Sequence, residues 1–321
     1  MKVLFLSSRT LRRAENIRAV WDKCPFDKKF HQIDPHGNSE EAAHAHALGY
    51  RVIVTDEFLR RVDYKPFVKV VMIGHGIDGG KLYGLDQKVR YYTPEQTGLI
   101  DYWITASEMT RGFAATCADI PINRCLALGM PRTDAYVGKV KGDGGTLMAG
   151  YARAYLFAPT LRAGWEPKAP EIDWAALDAQ LTDDEVMVVK RHMMTGRPIA
   201  GEGYRHIVEI PPSEPSTPYL IDCDAVITDY SSIILDGYAL GKPGVCFCPD
   251  EREYISARGM YRRYPEGYTR YPVYEQEWLI RAVREAADCG EKSTTQFREF
   301  FAGACDGLSS VRVVDLVRSL L

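Results

Sequence analysis

Two histidines lie where predicted strands end, which is where parallel α/β sheets hold their ligands. His75 stands between two glycines, directly after the β-branched run Val68 to Ile73. His192 follows the apolar run Val186 to Lys190. A neutral imidazole takes a proton from a hydroxyl, and a protonated imidazole binds phosphate. A lone histidine is more often structural than catalytic, but two at strand ends, one in each half of the chain, favour acid–base or phosphate chemistry.

A polar turn follows the predicted strand Ala225 to Thr228. It reads Asp229-Tyr230-Ser231-Ser232 and leads into a helix predicted from Ser232 to Leu240. The start of a helix presents free N–H groups and the positive end of the helix dipole, and serine hydroxyls suit this position. The pattern fits phosphate binding by Ser231 and Ser232, and it also fits an ordinary helix cap.

Three further segments carry side chains that suit anions or turns. Thr160 and Arg162 follow the predicted strand Tyr155 to Ala158; the arginine could clamp phosphate oxygens or face solvent. Arg258 to Pro272 is rich in arginine and tyrosine, which fits contact with an anionic polymer, a membrane surface or a nucleotide, and also fits a solvated loop. Gly129 to Asp134 reads as a structural turn.

Composition disfavours several other classes of protein. The 321 residues carry 40 basic and 43 acidic side chains, a net charge of -3, whereas nucleic-acid-binding proteins are usually basic. The eight cysteines show no C-x-x-C spacing, so we expect reduced thiols, and no group of residues has metal-ligand spacing. No segment approaches the roughly 18 apolar residues of a membrane span, and the N-terminal apolar run Val3 to Leu6 is too short for a signal peptide. We therefore expect a cytoplasmic protein.

Apolar strands alternate with amphipathic helices along the whole chain, which predicts parallel sheets with right-handed crossovers. The predicted strands are Val3 to Ser7, Arg51 to Thr55, Val68 to Ile73, Tyr102 to Thr105, Arg124 to Leu128, Tyr155 to Ala158, Val186 to Lys190, Ile207 to Ile210, Ala225 to Thr228 and Gly244 to Phe247. The predicted helices are Leu11 to Trp21, Glu40 to Leu48 with Ser39 as its cap, one from about Glu108, Trp174 to Leu181, Ser232 to Leu240, Glu277 to Asp288, Thr295 to Ala304 and Val311 to Leu320.

The glycine-rich segment Lys139 to Gly150 reads as a linker between two halves. We predict an N-terminal Rossmann-like domain over residues 1–140, a second Rossmann-like domain over 141–305, and a C-terminal helix over 306–321 that crosses back to the first domain. This α/β organisation suggests the glycosyltransferase-B architecture, in which two Rossmann-like domains face a cleft.

Taken together, the order and spacing of five motifs resemble the CDP-glycerol:poly(glycerophosphate) glycerophosphotransferase family. The motifs are Gly74-His75-Gly76, Gly129 to Asp134, Ala158 to Arg162, Lys190-Arg191-His192, and Ile227 to Asp236. The end of the chain is similar as well, in Arg258-Gly259-Met260-Tyr261, then Asp306-Gly307 with Ser309-Ser310 and Arg312. The resemblance covers residues 70 to 315, which is most of the chain.

The resemblance implies a glycosyltransferase-B fold and a defined reaction. Glycerol phosphate, or ribitol phosphate, passes from CDP-glycerol or CDP-ribitol to a hydroxyl of a glycan or polyol-phosphate acceptor, which can be lipid-linked, and CMP leaves. This is the chemistry of teichoic acid and capsule synthesis. By position, His75 is the implied general base and His192 stabilises the donor pyrophosphate. The other implied donor-binding residues are Thr160, Arg162, Lys190, Asp229, Ser231, Ser232 and Asp236.

Several positions depart from the family pattern and leave the alditol and the acceptor open. Leu161 replaces a tryptophan, Met193 a proline and Leu235 an aromatic residue, and Ile77 to Gly80 replaces a threonine-proline run. The implied chemistry requires no cofactor and is compatible with Mg²⁺. The arginine- and tyrosine-rich stretch is compatible with recruitment to the inner membrane face. The alternatives are a nucleotide-sugar glycosyltransferase or epimerase of the same fold, and a non-catalytic nucleotide- or polymer-binding relative.

Overall fold

The computed structural model describes residues 2–77, 79–82, 92–162, 164, 166–192 and 198–321. The chain divides into two compact units, each containing one sheet. The first unit comprises Met1–Gly79, Tyr83–Val137 and Glu299–Leu321, and the second comprises Gly80–Leu82 and Gly138–Arg298. The chain thus leaves the first unit after Val137 and re-enters it at Glu299, whereas the predicted boundaries were residues 140 and 305.

The sheet of the first unit has six parallel strands in the order β2-β1-β3-β4-β5-β6. Its strands are β1 (Lys2–Ser7), β2 (Asp27–Gln32), β3 (Tyr50–Thr55), β4 (Lys69–Met72), β5 (Tyr102–Thr105) and β6 (Cys125–Ala127). The strand β2 was not predicted. Its sequence, DKKFHQ, has a single large apolar residue because the strand lies at the edge of the sheet and is nowhere fully buried.

The sheet of the second unit also has six parallel strands, in the order β12-β11-β10-β7-β8-β9. Its strands are β7 (Arg153–Phe157), β8 (Glu185–Lys190), β9 (Ile207–Ile210), β10 (Ala225–Thr228), β11 (Gly244–Phe247) and β12 (Tyr271–Val273). The predicted bounds of β9, β10 and β11 are confirmed residue for residue. The strand β12 was not predicted.

Helices connect most successive strands of each sheet, as the alternation predicted, but β3 and β4 are joined through a single 3₁₀ turn (Lys65–Phe67), and the described residues between β8 and β9 form no helix. The helices are α1 (Glu15–Lys23), α2 (Glu40–Ala43), α3 (Pro94–Gly98), α4 (Arg111–Ala118), α5 (Trp174–Asp178), α6 (Thr217–Asp222), α7 (Ile233–Ala239), α8 (Glu251–Arg258), α9 (Leu279–Cys289), α10 (Thr295–Ala302) and α11 (Ser309–Leu320). The Ser39 hydroxyl accepts a hydrogen bond from the Ala42 N–H, so the predicted cap of α2 is confirmed, although the helix is shorter than predicted. The helices α3, α6 and α8 were not predicted.

Both sheets are packed on their two faces, which explains the nearly continuous apolar runs of their strands. In the second unit, one face carries Tyr155, Ile227 and Val245, and the other carries Leu156 and Val226. All eight cysteines are free in the structure, and seven of them are buried. Among the described helices, none is both long and apolar enough to cross a membrane.

Candidate active site

Three neighbouring strands of the first unit end in side chains that surround an imidazole. Asp56 and Glu57 follow β3, and His75 follows β4, the adjacent strand. The Asp56 Oδ2 atom lies 3.6 Å from His75 Nδ1, and the Glu57 Oε1 atom lies 3.7 Å from His75 Nε2. Each ring nitrogen therefore faces a carboxylate, and the Arg9 guanidinium also lies 3.3 Å from His75 Nδ1. The carboxylates would stabilise the imidazolium that forms when His75 takes a proton.

The groups around His75 are held by neighbouring polar side chains. The Ser7 hydroxyl, at the end of β1, donates to Asp56 Oδ2 over 3.1 Å, and the Ser8 hydroxyl donates to Glu57. The Arg132 guanidinium donates to the His75 carbonyl over 2.9 Å. The imidazole itself remains 40% exposed and is accessible to a substrate.

The same three side chains could also hold a cation. One ligand atom from each of Asp56, Glu57 and His75 lies within 4.8 Å of the others. Sequence spacing indicated no metal site because Asp56 and His75 are 19 positions apart and meet only through strand pairing. The buried Asp56 Oδ1 atom has no hydrogen-bond partner among the described residues, and burial raises the pKa of Glu57. Carboxylate oxygens together with one imidazole nitrogen are ligands that can coordinate Mg²⁺ or Mn²⁺.

The turn from Gly129 to Asp134 has the structural role that the sequence predicted. Gly129 has a φ of +86°, and a Cβ there would lie 2.2 Å from the Ser309 hydroxyl, so only glycine fits. The Asp134 carboxylate accepts hydrogen bonds from the backbone N–H groups of Ser309 and Ser310, over 3.0 and 2.7 Å. These bonds cap the start of α11 and fix the C-terminal helix on the first unit.

A second cluster, the donor-side cluster, forms in the second unit at the carboxyl ends of β7, β10 and β11. It consists of Arg162, Asp229 and Asp250 with the tyrosines Tyr230 and Tyr254. Arg162 NH2 lies 2.9 Å from Asp229 Oδ2, and Arg162 NH1 lies 2.8 Å from Asp250 Oδ2. The backbone N–H of Thr160 donates to Asp229 Oδ1 over 2.7 Å, while the Thr160 hydroxyl oxygen is buried and has no hydrogen-bond partner among the described residues. The fold therefore brings together three predicted donor-site residues, Thr160, Arg162 and Asp229.

Two stacked tyrosines support Arg162. The rings of Tyr230 and Tyr254 are 3.7 Å apart and nearly parallel, and the Arg162 guanidinium carbon lies 4.4 Å from the centroid of the Tyr254 ring. The Tyr230 hydroxyl donates to Asp250 over 2.9 Å. The side chain of Arg162 is only 9% exposed, so the alternative of a solvent-facing arginine is wrong. Its guanidinium holds two carboxylates in place, which makes it a support of the cluster.

The two serines lie at the start of α7, directly after Asp229. The Ser231 hydroxyl accepts from the Ile233 N–H over 3.4 Å, whereas the hydroxyl of the exposed Ser232, the residue that precedes the helix, forms no cap hydrogen bond. An ordinary cap by Ser232 is therefore wrong. Asp236 lies within α7 and is buried.

Lys190 is the last residue of β8, the neighbour of β7, and His192 follows two positions later, so both belong to the same edge of the sheet. The Lys190 ammonium donates to the carbonyls of Arg191 and Pro212, over 3.3 and 3.2 Å, and burial lowers its pKa. His192 is exposed. Met193, where the sequence departs from the family pattern, lies outside the described residues.

The stretch from Arg258 to Pro272 is not the solvated loop that the sequence allowed. Tyr264 and Tyr268 are buried, and the Tyr264 hydroxyl donates to the Asp229 carbonyl. Arg258 is also buried, 3.6 Å from Glu166. The tyrosines are therefore core residues that pack beneath the donor-side cluster, and Arg263 and Arg270 are exposed.

Sequence reasoning missed Asp56, Glu57, Asp250 and Lys81. The first three have a simple signal, because each lies within three residues of the end of a predicted strand, where a parallel sheet places its ligands. Lys81 follows two glycines in a segment without periodicity, and no pattern pointed to it.

Comparison with known proteins gives consistent matches along the chain. The family described as CDP-Glycerol:Poly(glycerophosphate) glycerophosphotransferase matches residues 5–319. The teichoic acid ribitol-phosphate primase of Bacillus spizizenii is 24% identical over 100% of this chain and 91% of its own length. The teichoic acid glycerol-phosphate primase of Bacillus subtilis is 22% identical over 84% of this chain and 74% of its own length. The structure of the wall teichoic acid polymerase TagF superposes with a TM-score of 0.80 at 18% identity, covering 99% of this chain and 88% of that chain.

Proposed function

The chain belongs to the CDP-glycerol:poly(glycerophosphate) glycerophosphotransferase family, and we propose that it transfers glycerol phosphate or ribitol phosphate from a CDP-alditol to an acceptor hydroxyl. The main support for this proposal is the environment of His75, which has an accessible imidazole at a strand end with a carboxylate facing each ring nitrogen. Teichoic acid synthesis is the setting, since the relatives with matched length are teichoic acid primases.

The reaction is an in-line displacement at the phosphorus that bears the alditol. His75 takes the proton of the acceptor hydroxyl as the oxygen attacks, a new P–O bond forms, and the pyrophosphate P–O bond breaks to release CMP. Such a reaction needs mainly positioning and stabilisation of charge. Asp56 and Glu57 stabilise the protonated imidazole, and both serve the acceptor side of the reaction.

The donor side uses the carboxyl edge of the second sheet. Ser231, Ser232 and the start of α7 hold donor phosphates, and His192 stabilises the pyrophosphate. Thr160, with a buried hydroxyl available, lines the same site, and Lys190, Asp229 and Asp236 shape it. Arg162 acts through Asp229 and Asp250, which it holds in place.

The partners follow from the same chemistry. The donor is CDP-glycerol or CDP-ribitol, and the acceptor is a glycan or polyol phosphate that can be lipid-linked, so the reaction takes place at the inner face of the membrane. Nucleic acid is not a partner. The displacement runs through His75 without a cofactor, and a cation at Asp56, Glu57 and His75 would compete with the proton for the imidazole. Assays with and without Mg²⁺ distinguish these two uses of the group.

The identity of the released nucleotide tests the reaction directly. Incubation with CDP-glycerol or CDP-ribitol and a panel of acceptors should release CMP and add one phosphodiester to the acceptor with each transfer, read by chromatography and mass spectrometry. A glycosyltransferase of the same fold breaks the bond to the sugar carbon and would release CDP or UDP instead. Release of a nucleoside diphosphate with a neutral sugar on the acceptor contradicts the proposal, and binding without any product indicates the non-catalytic alternative.

Removing both serine hydroxyls should weaken donor binding. Each hydrogen bond to a charged phosphate contributes roughly 1.5–3 kcal/mol, so we expect the affinity of the Ser231→Ala, Ser232→Ala protein for CDP-glycerol to fall at least tenfold by calorimetry. Ser213→Ala, at an exposed serine of the same unit, is the matched control and should bind normally. Unchanged affinity of the folded double variant would leave the serines without a role in binding.

A further inference from the structure

Lys81 lies in the short segment Gly80–Leu82, which belongs to the second unit although the chain on either side of it belongs to the first. The segment Gly80–Leu82 pairs with residues 259–261: Lys81 forms an antiparallel bridge with Met260, and the Tyr261 N–H donates to the Gly80 carbonyl over 3.1 Å. The Leu82 N–H donates to the Gly259 carbonyl over 3.3 Å. These backbone bonds fix the position of Lys81 on the unit that carries the donor-side cluster.

The Lys81 side chain extends over the aromatic part of that cluster. Its Nζ lies 5.6 Å from the centroid of the Tyr254 ring, the same ring that Arg162 covers at 4.4 Å. Tyr254 in turn stacks on Tyr230, the residue that follows Asp229. The ammonium is therefore half-buried beside the residues that follow β7 and β10.

The carboxylates that face Lys81 already have partners. Asp229 accepts from Arg162 and from the backbone N–H groups of Thr160 and Tyr230. Glu166 lies 3.6 Å from Arg258 and accepts from the Tyr254 hydroxyl over 3.3 Å.

Among the residues that the structure describes, none forms a hydrogen bond or ion pair with the Lys81 ammonium. A half-buried ammonium without a protein partner has its three donors available to an anionic ligand. The guanidiniums of Arg162 and Arg258, in contrast, already face carboxylates, those of Asp229 and Asp250 and that of Glu166.

We propose that Lys81 is an anion-binding residue of the donor site, and that its ammonium binds the diphosphate of a nucleoside diphosphate ester. The inference rests on the proposed function for the identity of the donor. It adds to that function a cation that lies outside the five motifs on which the resemblance rests, and it makes donor binding depend on the charge of one lysine.

The charge of Lys81 changes within an accessible pH range. Burial lowers the pKa of Lys81 to about 8. The positive charges of Arg258 and Arg162 act in the same direction, and the negative charges of Asp229 and Glu166 oppose them. A bound diphosphate stabilises the ammonium and raises this pKa, so the bound complex keeps a proton that the free protein loses. Donor affinity should therefore be fully present below pH 8 and fall by up to tenfold per pH unit above it. Tyr254, whose pKa burial raises far above its ordinary value, stays neutral throughout this range, and the arginines stay charged.

Calorimetric titration with CDP-glycerol, CDP-ribitol, CMP and cytidine between pH 7 and 9.5 tests the inference. At pH 7, Lys81→Ala should bind CDP-glycerol roughly 10- to 100-fold more weakly and cytidine normally, since cytidine has no phosphate. Lys81→Arg keeps a charge at every pH and should lose the decline above pH 8. In buffers of different ionisation enthalpy, the wild-type protein should take up a proton on binding above pH 8, and Lys81→Arg should not. Lys168→Ala, at an exposed lysine of the same unit, is the matched control.

The outcomes separate this inference from the proposed function. Wild-type protein that binds neither CDP-glycerol nor CDP-ribitol overturns the proposed function itself. Binding of CDP-glycerol by Lys81→Ala with wild-type affinity overturns the role of Lys81 and leaves the function standing. Equal weakening of cytidine and CDP-glycerol, or a wild-type pH decline in Lys81→Arg, also overturns it. The arginine variant keeps the test decisive where the alanine variant does not fold.

Discussion

Replacement of His75 by alanine is expected to reduce the rate of transfer from CDP-glycerol by roughly 10²–10⁴-fold, the usual effect of losing a general base. The imidazole is the most accessible member of a group in which Asp56 and Glu57 face its two nitrogens. Donor affinity should not change, because the residues proposed to bind the donor belong to the second unit. Single-turnover rates and calorimetric affinities for the same preparation give both numbers.

The matched control is His36→Ala. His36 is an exposed histidine of the same unit, and the hydrogen bonds formed at this position involve its backbone N–H and carbonyl, which the substitution keeps. We expect wild-type transfer from this variant. Near-normal turnover of a folded His75→Ala protein would remove His75 from the mechanism, and a parallel loss of donor binding would show that the substitution disturbs more than the base.

The strands of both sheets were largely predictable because most are buried on both faces. Ile207 to Ile210, Ala225 to Thr228 and Gly244 to Phe247 read as apolar runs between turn residues, and their observed bounds are the predicted ones. The edge strand β2 lacks that signal, since an edge strand of a parallel sheet buries little of its surface. The helix α8 was missed for a related reason, because its sequence EREYISAR buries only Tyr254 and Arg258.

Individual site residues were predictable where they follow a strand, but their partners were not. His75 and Asp229 were chosen for their places after predicted strands. The same rule, applied to the predicted strand Arg51 to Thr55, would have found Asp56 and Glu57. Lys81 could not be found in this way, because its position depends on a backbone pairing with Met260, 179 positions further along the chain. The tyrosines after Arg258 were misjudged because composition alone does not tell a buried ring from an exposed one.

Replacement of Arg162 by alanine is expected to lower the free energy of unfolding by about 3–5 kcal/mol, the usual result of removing one partner from a buried ion pair. The Arg162 side chain is 9% exposed, and those of Asp229 and Asp250 are 11% and 14% exposed. Without the guanidinium, two carboxylates remain in a largely dry site, where their hydrogen-bond donors among the described residues are the Tyr230 hydroxyl and the backbone N–H groups of Thr160 and Tyr230. Denaturation in urea, followed by circular dichroism, measures the loss directly.

Arg162→Lys separates the charge from the geometry of this cluster. A lysine restores one positive charge but cannot bind both carboxylates with a planar fork, so we expect a stability between those of the alanine variant and the wild-type protein. Arg205→Ala removes a comparable arginine from an exposed ion pair with Asp183 in the same unit, and exposed pairs contribute little, so its unfolding curve should nearly match the wild type. Equal stability of the Arg162→Ala and Arg205→Ala proteins would mean that water screens the charges of Asp229 and Asp250, so that the fold does not need the Arg162 charge beside them. In that case Arg162 would be available to bind donor phosphate itself, and its loss should then appear in the affinity for CDP-glycerol.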